Sequence, residues 1–432
     1  MKTRERGNLV LVGIGVITII CLVMCCITPL QAQSGKEDFP IIIGVAEPLG
    51  AAHGQDVLRC VQLAAEEINA KGGVRFGGKQ HKVKVVSTDT REHEPGMPVH
   101  DALAAIEKLI TDHKPHFIIG GYRSEVCLAV FDLIAKYKIP YLTSIVMTPK
   151  FDEKVAAEPE KYKYMFRIGG TSTSVAEMFR NIIDELRTTY GLKKISFNIA
   201  DVLAWRTVVE QLMPFVKQTG WEVTDYSRFP LGSSDFSSAI NKAKVTNTDV
   251  MFTLYDVVEE GSLLTKQAYR LKSKALLIGF IEVTIAEMSG KTLKNEVDGI
   301  VNMLEEAGNA PVKAILKSVE FQNKYGKRWG EDLRQRMCGH GPSPTYDATF
   351  YVCNAIERAG GVDNMDAVVK EIERTSFDGT SGKVIFNKTH SVIYGFDPKK
   401  ESIGAMFQWQ NGKRVMVFPQ AIAEGRIKLK SK

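Results

Sequence analysis

From Phe39 onward the chain alternates between short runs of apolar residues and longer stretches whose apolar positions recur three and four residues apart. The run "IIIGVAEP" has no polar alternation and reads as a strand buried on both faces. "DVLRCVQLAAEEINA" follows and sets Val57, Val61, Ala64, Ala65 and Ile68 on one helical face. Gly72-Gly73 ends that helix, because glycine takes the left-handed cap at little cost. "KVKVVSTD" predicts a strand, and "VHDALAAIEKLI" a helix with Ala102, Ile106 and Leu109 aligned. "FIIGG", a helix over Ser124–Tyr137 and the strand "IPYLTS" continue the series. It restarts after Arg167 with "VAEMFRNIIDELRTTY" and "KKISFNIA", and runs on through "WEVTDY", "DFSSAINKAK", "DVMFTLY", "EGSLLTKQAYRL" and "ALLIGF". Such alternation predicts an α/β fold with parallel sheets covered by helices, and two series predict two doubly wound, Rossmann-like lobes.

Ligands of such sheets sit beyond the carboxyl ends of the strands, where loops enter helices. "GGYRSE", "TSIVMTP" (Thr143–Pro149), "IADVLAW" (Ile199–Trp205), "LYDVVEE" (Leu254–Glu260) and "GFIEVT" (Gly279–Thr284) occupy such positions. In "GGYRSEVCLAVF" the N–H groups at the helix start carry positive partial charge; Ser124 adds a hydroxyl and Arg123 a full charge. The segment therefore reads as an anion seat. It reads equally as a plain helix cap with Arg123 in water.

Length and composition narrow the picture. The 432 residues suit two compact domains, and 25% charged with 44% hydrophobic residues is ordinary for a soluble globular body. The net charge of +6 is spread along the chain, and no basic stripe interleaves with aromatics, so no nucleic-acid partner is expected. "MKTRERGN", an apolar run from Leu9 to Ile27 and the polar "TPLQAQSGK" give the order of a secretory signal, expected over residues 1–32 with cleavage after Ala32. An uncleaved anchor is the rival, and Cys25 and Cys26 raise a lipoprotein form, although neither follows a small residue. Membrane contact is expected only through this segment. Cys60, Cys127, Cys338 and Cys353 remain; an oxidising compartment permits disulfides among them, and their pairing stays open.

Catalytic signatures are weak. "GVRFGGKQ" (Gly73–Gln80) misses the phosphate loop at Gln80 and follows a helix rather than a strand, so it reads as a turn. His81, His93, His100, His113 and His116 form no ligand spacing and read as solvated loop residues. No G-x-S-x-G is present. Neither a cofactor nor a metal is expected.

"IIIGVAEPLG", "AAEEINAKGGV", "FIIGGYRSE", "AKYKIPYLTS", "YKYMFRIGG", "DFSSAINKAK" and "PTYDATFYVCNAIERAGG" together resemble the type I periplasmic substrate-binding proteins of branched-chain amino acid (leucine/isoleucine/valine) ABC transporters. The resemblance spans about 39–422. It implies two lobes joined by three chain crossings, near Arg167-Ile168, Ile300-Val301 and Gly379 to Lys383. Lobe one is then 39–167 plus 301–379, and lobe two 168–300 plus 380–419. It implies a monomeric, non-enzymatic protein that captures a small ligand and delivers it to an inner-membrane ABC permease. A sensor module acting on a signalling partner and an enzyme using the same cleft are the rival readings.

Carried over position by position, Ser124 matches the serine that takes the ligand carboxylate, and Glu282 the acid facing the ligand ammonium. Trp205 matches an aromatic wall, Tyr255 or Asp256 a tyrosine that closes over the ligand, and His53 a first-loop tyrosine. Two departures stand out. Met147 replaces the threonine that helps hold the ammonium, and Ser144-Ile145-Val146 replace the preceding Pro-Ala-Ala. Met147 accepts no strong hydrogen bond, so plain leucine recognition is in doubt. Met147, Trp205 and Phe280 point to a ligand with an apolar or aromatic part, and Ser124 with Arg123 to a carboxylate.

Overall fold

The computed structural model describes residues 39–429; the expected signal over residues 1–32 lies outside them. In chain order the strands are β1 (Ile41–Glu47), β2 (Val74–Phe76), β3 (Lys79–His81), β4 (Val83–Asp89), β5 (Phe117–Gly120), β6 (Tyr141–Thr143) and β7 (Met165–Arg167), then β8 (Lys194–Ala200), β9 (Glu222–Phe229), β10 (Val250–Tyr255), β11 (Leu276–Ile281) and β12 (Val301–Leu304), and last β13 (Ser376–Gly379), β14 (Gly382–Ile385), β15 (Tyr394–Gly395), β16 (Ser402–Ile403), β17 (Ala405–Gln410) and β18 (Lys413–Phe418). One sheet runs β4-β1-β5-β6-β7, all parallel. A second runs β18-β17-β12-β11-β10-β8-β9, parallel except for β17 and β18. Each sheet has its own apolar core, as two doubly wound lobes require. Among the described residues no helix is long and apolar enough to cross a membrane.

The helices that matter for the site are α1 (Ala52–Ala70), α2 (Val99–His113), α3 (Ser124–Tyr137), α4 (Ser172–Thr188), α5 (Leu203–Gln218), α6 (Leu316–Trp329) and α7 (Pro342–Arg358). Helix α1 is buried on two sides. Val57, Val61, Ala65 and Ile68 enter the first core, while Cys60, Leu63 and Ala64 pack on Phe321 and Tyr325 of α6. Asp56 lies between them, accepting from the Tyr325 hydroxyl at 2.6 Å and the Cys338 N–H at 3.2 Å. The helix stops at Gly72 and Gly73, both with positive φ, as the sequence predicts.

The lobe boundaries differ from those expected. Val301–Leu304 is β12, paired with β11 and β17, and Ala307, Val312 and Ile315 remain in the second core. The chain returns to the first lobe with α6, whose Phe321 and Tyr325 pack on α1, rather than at Ile300-Val301. Likewise Gly379–Gly382 is the turn of the β13–β14 hairpin, not a crossing. Val384 and Val392 stay in the first core, and Ser391 bridges to Arg167. Ile403 is the residue that enters the second core. The apolar pattern alone could not fix these points, because a crossing segment is as buried as the strands it joins.

Smaller expectations also change. The glycine-rich Gly73–Gln80 stretch forms the β2–β3 hairpin instead of a simple turn. His81 is buried and stacks on Phe76 at 3.7 Å, and His116 accepts the Ile42 N–H at 2.9 Å, so neither is a solvated loop residue. Cys60, Cys127, Cys338 and Cys353 are all buried and unpaired.

Candidate functional site

A cavity lies between the carboxyl ends of the two sheets, where ligands of doubly wound folds bind. The first lobe contributes His53, Tyr122, Arg123, Ser124, Ile145 and Met147; the second contributes Trp205, Asp256, Phe280 and Glu282. Glu305, Cys338 and His340 close it on the hinge side. Two glycines let the strands reach it. Gly120 of β5 and Gly279 of β11 have φ of 154° and 152°, and a Cβ on either would fall 2.0 Å from Ala46 O or 1.8 Å from Thr253 O.

Ser124 begins α3, is 6% exposed, and lies where the helix leaves its first N–H groups without intrahelical acceptors. The preceding turn is held from behind by Glu92, whose Oε2 accepts the N–H groups of Arg123 at 2.7 Å and Tyr122 at 3.4 Å. Burial raises the Glu92 carboxyl to about 7, against the pull of those donors. Arg123 lines the cavity, but its Nε donates to the Glu92 carbonyl at 3.1 Å and its Nη1 lies 3.9 Å from Asp256. Its charge is thus partly balanced by the protein itself.

Asp256 joins the lobes. The Tyr122 hydroxyl donates to its Oδ2 at 3.0 Å, and Trp205 Nε1 to its Oδ1 at 3.3 Å. Trp205 in turn packs on Phe280 with ring centres 5.2 Å apart, and His53 stacks on Tyr122 at 4.2 Å. Burial lowers His53 to about 3, so its ring is neutral, and raises Glu282 to about 8 despite the opposing pull of His340.

Behind Glu282, His340 Nδ1 stands 2.7 Å from Glu305 Oε2 and 2.8 Å from Glu306 Oε1. Among the described residues these three are the group whose donor atoms gather within 4.8 Å as a metal site would require. Donors on a tetrahedral metal at bond lengths of about 2.0–2.2 Å stand about 3.3 Å apart, wider than the contacts here. The arrangement is an imidazolium between two carboxylates. Burial opposes that charge, but Glu305 and Glu306 outweigh it and hold His340 well above its ordinary pKa.

The cavity therefore brings together Ser124, Arg123, Met147, Ile145, Trp205, Asp256, Glu282 and His53. Tyr255 is elsewhere: fully buried, its hydroxyl pairs with Asn198 and its ring packs on Phe236 inside the second lobe. Strand alternation turns it away from the cleft and leaves Asp256, the first residue past β10, to face it. Tyr122, Glu305 and His340 line the cavity without having been singled out in the sequence, and Cys338, read there only as a cysteine open to pairing, lines it too. Tyr122 sits inside the "GGYRSE" loop and could have been read with it; Glu305 and His340 carry no local signal.

The model of the periplasmic binding protein family matches residues 40–397. Leu/Ile/Val-binding protein homolog 7 of Brucella abortus (strain 2308) is 23% identical over 429 residues, covering 94% of this chain and 98% of the relative. A structure from Silicibacter pomeroyi, assigned to branched-chain amino acid ABC transport, superposes with a TM-score of 0.76 at 19% identity, over 90% of this chain and 99% of that one. A solute binding protein of an ABC transporter from Rhodopseudomonas palustris BisB5, in complex with 3,4-dihydroxybenzoic acid, gives 0.68 at 19% identity, over 88% and 95%. The structures speak for the bilobed fold. The family match makes the molecule a periplasmic binding protein for a small ligand rather than an enzyme. The chain belongs to the periplasmic binding protein family, with the bilobed fold of its type I members.

Proposed function

We propose that the protein captures a small zwitterion of the amino-acid class, with its carboxylate at Ser124 and the start of α3 and its ammonium at Glu282. The observation that carries this reading is one cavity bounded by a helix N-terminus from the first lobe and a buried acid from the second. Trp205, Phe280, Met147 and Ile145 supply apolar walls for the side chain, and His53, held neutral, packs on Tyr122 at the rim. Met147 offers the ammonium no acceptor, which leaves that group to the acids. Asp256 and Glu282 favour a cation-bearing ligand over a simple aromatic acid such as the one on the Rhodopseudomonas palustris protein. Arg123 steadies the carboxylate end through its remaining charge. Closure of the lobes on the ligand, as a monomer, presents the closed form to the permease. Export uses the basic, apolar, polar order of residues 1–32; mass spectrometry of the native protein should find a chain starting near Gln33, and an intact Met1 would contradict this.

A thermal-shift screen of L-amino acids, aromatic acids and amides tests the ligand class. An amino acid at one hundred times its dissociation constant stabilises the fold by about 2.7 kcal/mol. Shifts confined to aromatic acids or neutral amides would remove the ammonium from the reading.

A further inference from the structure

Glu305 follows β12 on the segment leaving the second sheet and is 2% exposed. It borders the same cavity as Glu282 and Asp256. His340 Nε2 meets the Ile145 carbonyl at 2.9 Å, which makes Nε2 a donor and leaves Nδ1 a single proton to give. That proton is aimed at Glu306, where Nδ1 and Oε1 are hydrogen-bonded at 2.8 Å. Glu306 also accepts from the Gly341 N–H and from Asn309 Nδ2, both at 2.9 Å, so its charge is fully met. Glu305 has no such donor. Neither of its oxygens has an aligned donor: His340 Nδ1 stands 2.7 Å from Oε2 but directs its proton to Glu306. A carboxyl buried this deeply without a donor is costly unless it holds a proton or a ligand supplies an N–H.

We propose that Glu305, positioned by His340, is a ligand-contacting residue and forms with Glu282 a two-carboxylate seat for a cationic nitrogen group. This rests on the reading of an ammonium-bearing ligand and adds a second acid to it. The groups facing Glu305 agree with the assignment. His340 and Glu306 lie behind it, Glu282 and Asp256 act on it from the second lobe, and the nearby Tyr394 hydroxyl is spent on the Ile168 carbonyl at 3.1 Å. Burial first, then Asp256 and Glu305, raise Glu282 against the pull of His340, and Glu305 is raised as well. A cation between the two carboxyls opposes both shifts by favouring the ionised forms. Protons that the carboxyls give up pass to the buffer.

Three matched pairs of probes test this by isothermal titration at pH 7 in phosphate and in Tris, whose differing ionisation enthalpies count released protons. The pairs are L-leucine with 4-methylpentanoate, L-phenylalanine with 3-phenylpropanoate, and L-arginine with 5-guanidinopentanoate. For any amino acid that binds the wild type, Glu305→Gln should weaken it about tenfold or more, leave its deaminated partner within about twofold, and lower the proton count. Equal losses for both members of a pair, or an unchanged proton count, overturn the role of Glu305 and leave the amino-acid reading standing. Failure of every amino acid to bind the wild type overturns both. Should Glu305→Gln fail to fold, Glu305→Asp takes its place: a loss for the amino acid that spares its deaminated partner supports the contact, and equal losses overturn it.

Discussion

The Tyr122 hydroxyl donates to Asp256 Oδ2 at 3.0 Å, from the loop after β5 in the first lobe to the end of β10 in the second. Arg123 Nη1, 3.9 Å from the same oxygen, adds a weaker attraction. Together they tie the lobes directly above the cavity. A hydrogen bond to a charged acceptor is worth about 1.5–3 kcal/mol, so Tyr122→Phe should shift the open–closed balance about tenfold or more toward open. Small-angle scattering of unliganded protein should then give a larger radius of gyration than wild type. An identical radius would mean that other contacts hold the lobes.

Ser124 begins α3 with no hydrogen-bonded partner for its hydroxyl among the described residues, and Glu282 faces it from the other lobe. Ser124→Ala and Glu282→Gln should each weaken an amino-acid ligand, by about fivefold for the neutral hydroxyl and more for the acid. Neither should lower the unliganded melting temperature. Unchanged affinity in both would dissociate the cavity from binding.

Glu47 and Glu92 lie beneath the site, 0% and 3% exposed, and desolvation lifts them from an ordinary 4.5 to about 8 and about 7. Each binds more protons folded than unfolded across that interval. Their contribution is fully present below about pH 4.5 and is lost as pH rises through 7 and 8. Glu47→Gln removes one of these losses, which is on the order of a few kcal/mol. Between pH 5 and pH 9 its melting temperature should therefore fall less than that of the wild type. Parallel curves would show that Glu47 is ionised in the fold throughout.

Gly120→Ala and Gly279→Ala each force a Cβ onto a neighbouring strand's carbonyl oxygen. Each should cost more than about 3 kcal/mol, measured by urea unfolding, because neither strand can move without breaking its sheet. A loss under 1 kcal/mol at either position would mean that the strand relaxes.

Cys60, Cys127, Cys338 and Cys353 are buried, and burial pushes every thiol up, Cys353 to about 12. Alkylation at pH 8, mapped peptide by peptide, should leave all four unmodified until the protein is denatured. Rapid labelling of any of them, or a disulfide between two, would contradict this.

Much of this protein is local and was legible in the sequence. Helix α3 begins at Ser124 and ends at Tyr137 as its apolar spacing predicts, and Gly72-Gly73 ends α1, because each signal lies within one turn of the residues that obey it. The two α/β series gave the lobes, the loop into α3 gave Ser124, and the resemblance to the binding-protein family gave Met147, Trp205 and Glu282. Three things waited for the tertiary structure. Asp256 rather than Tyr255 faces the cleft, since the pleat decides which neighbour points inward. The chain changes lobes after Ile315 and near Ile403, since pairing in a sheet is settled by partners far along the chain. Glu305, Glu306 and His340 meet because two separate segments converge at the hinge, and Tyr122 finds Asp256 only across the cleft. Periodicity records which face of an element is buried; it carries no term for charges that meet only once the elements have packed.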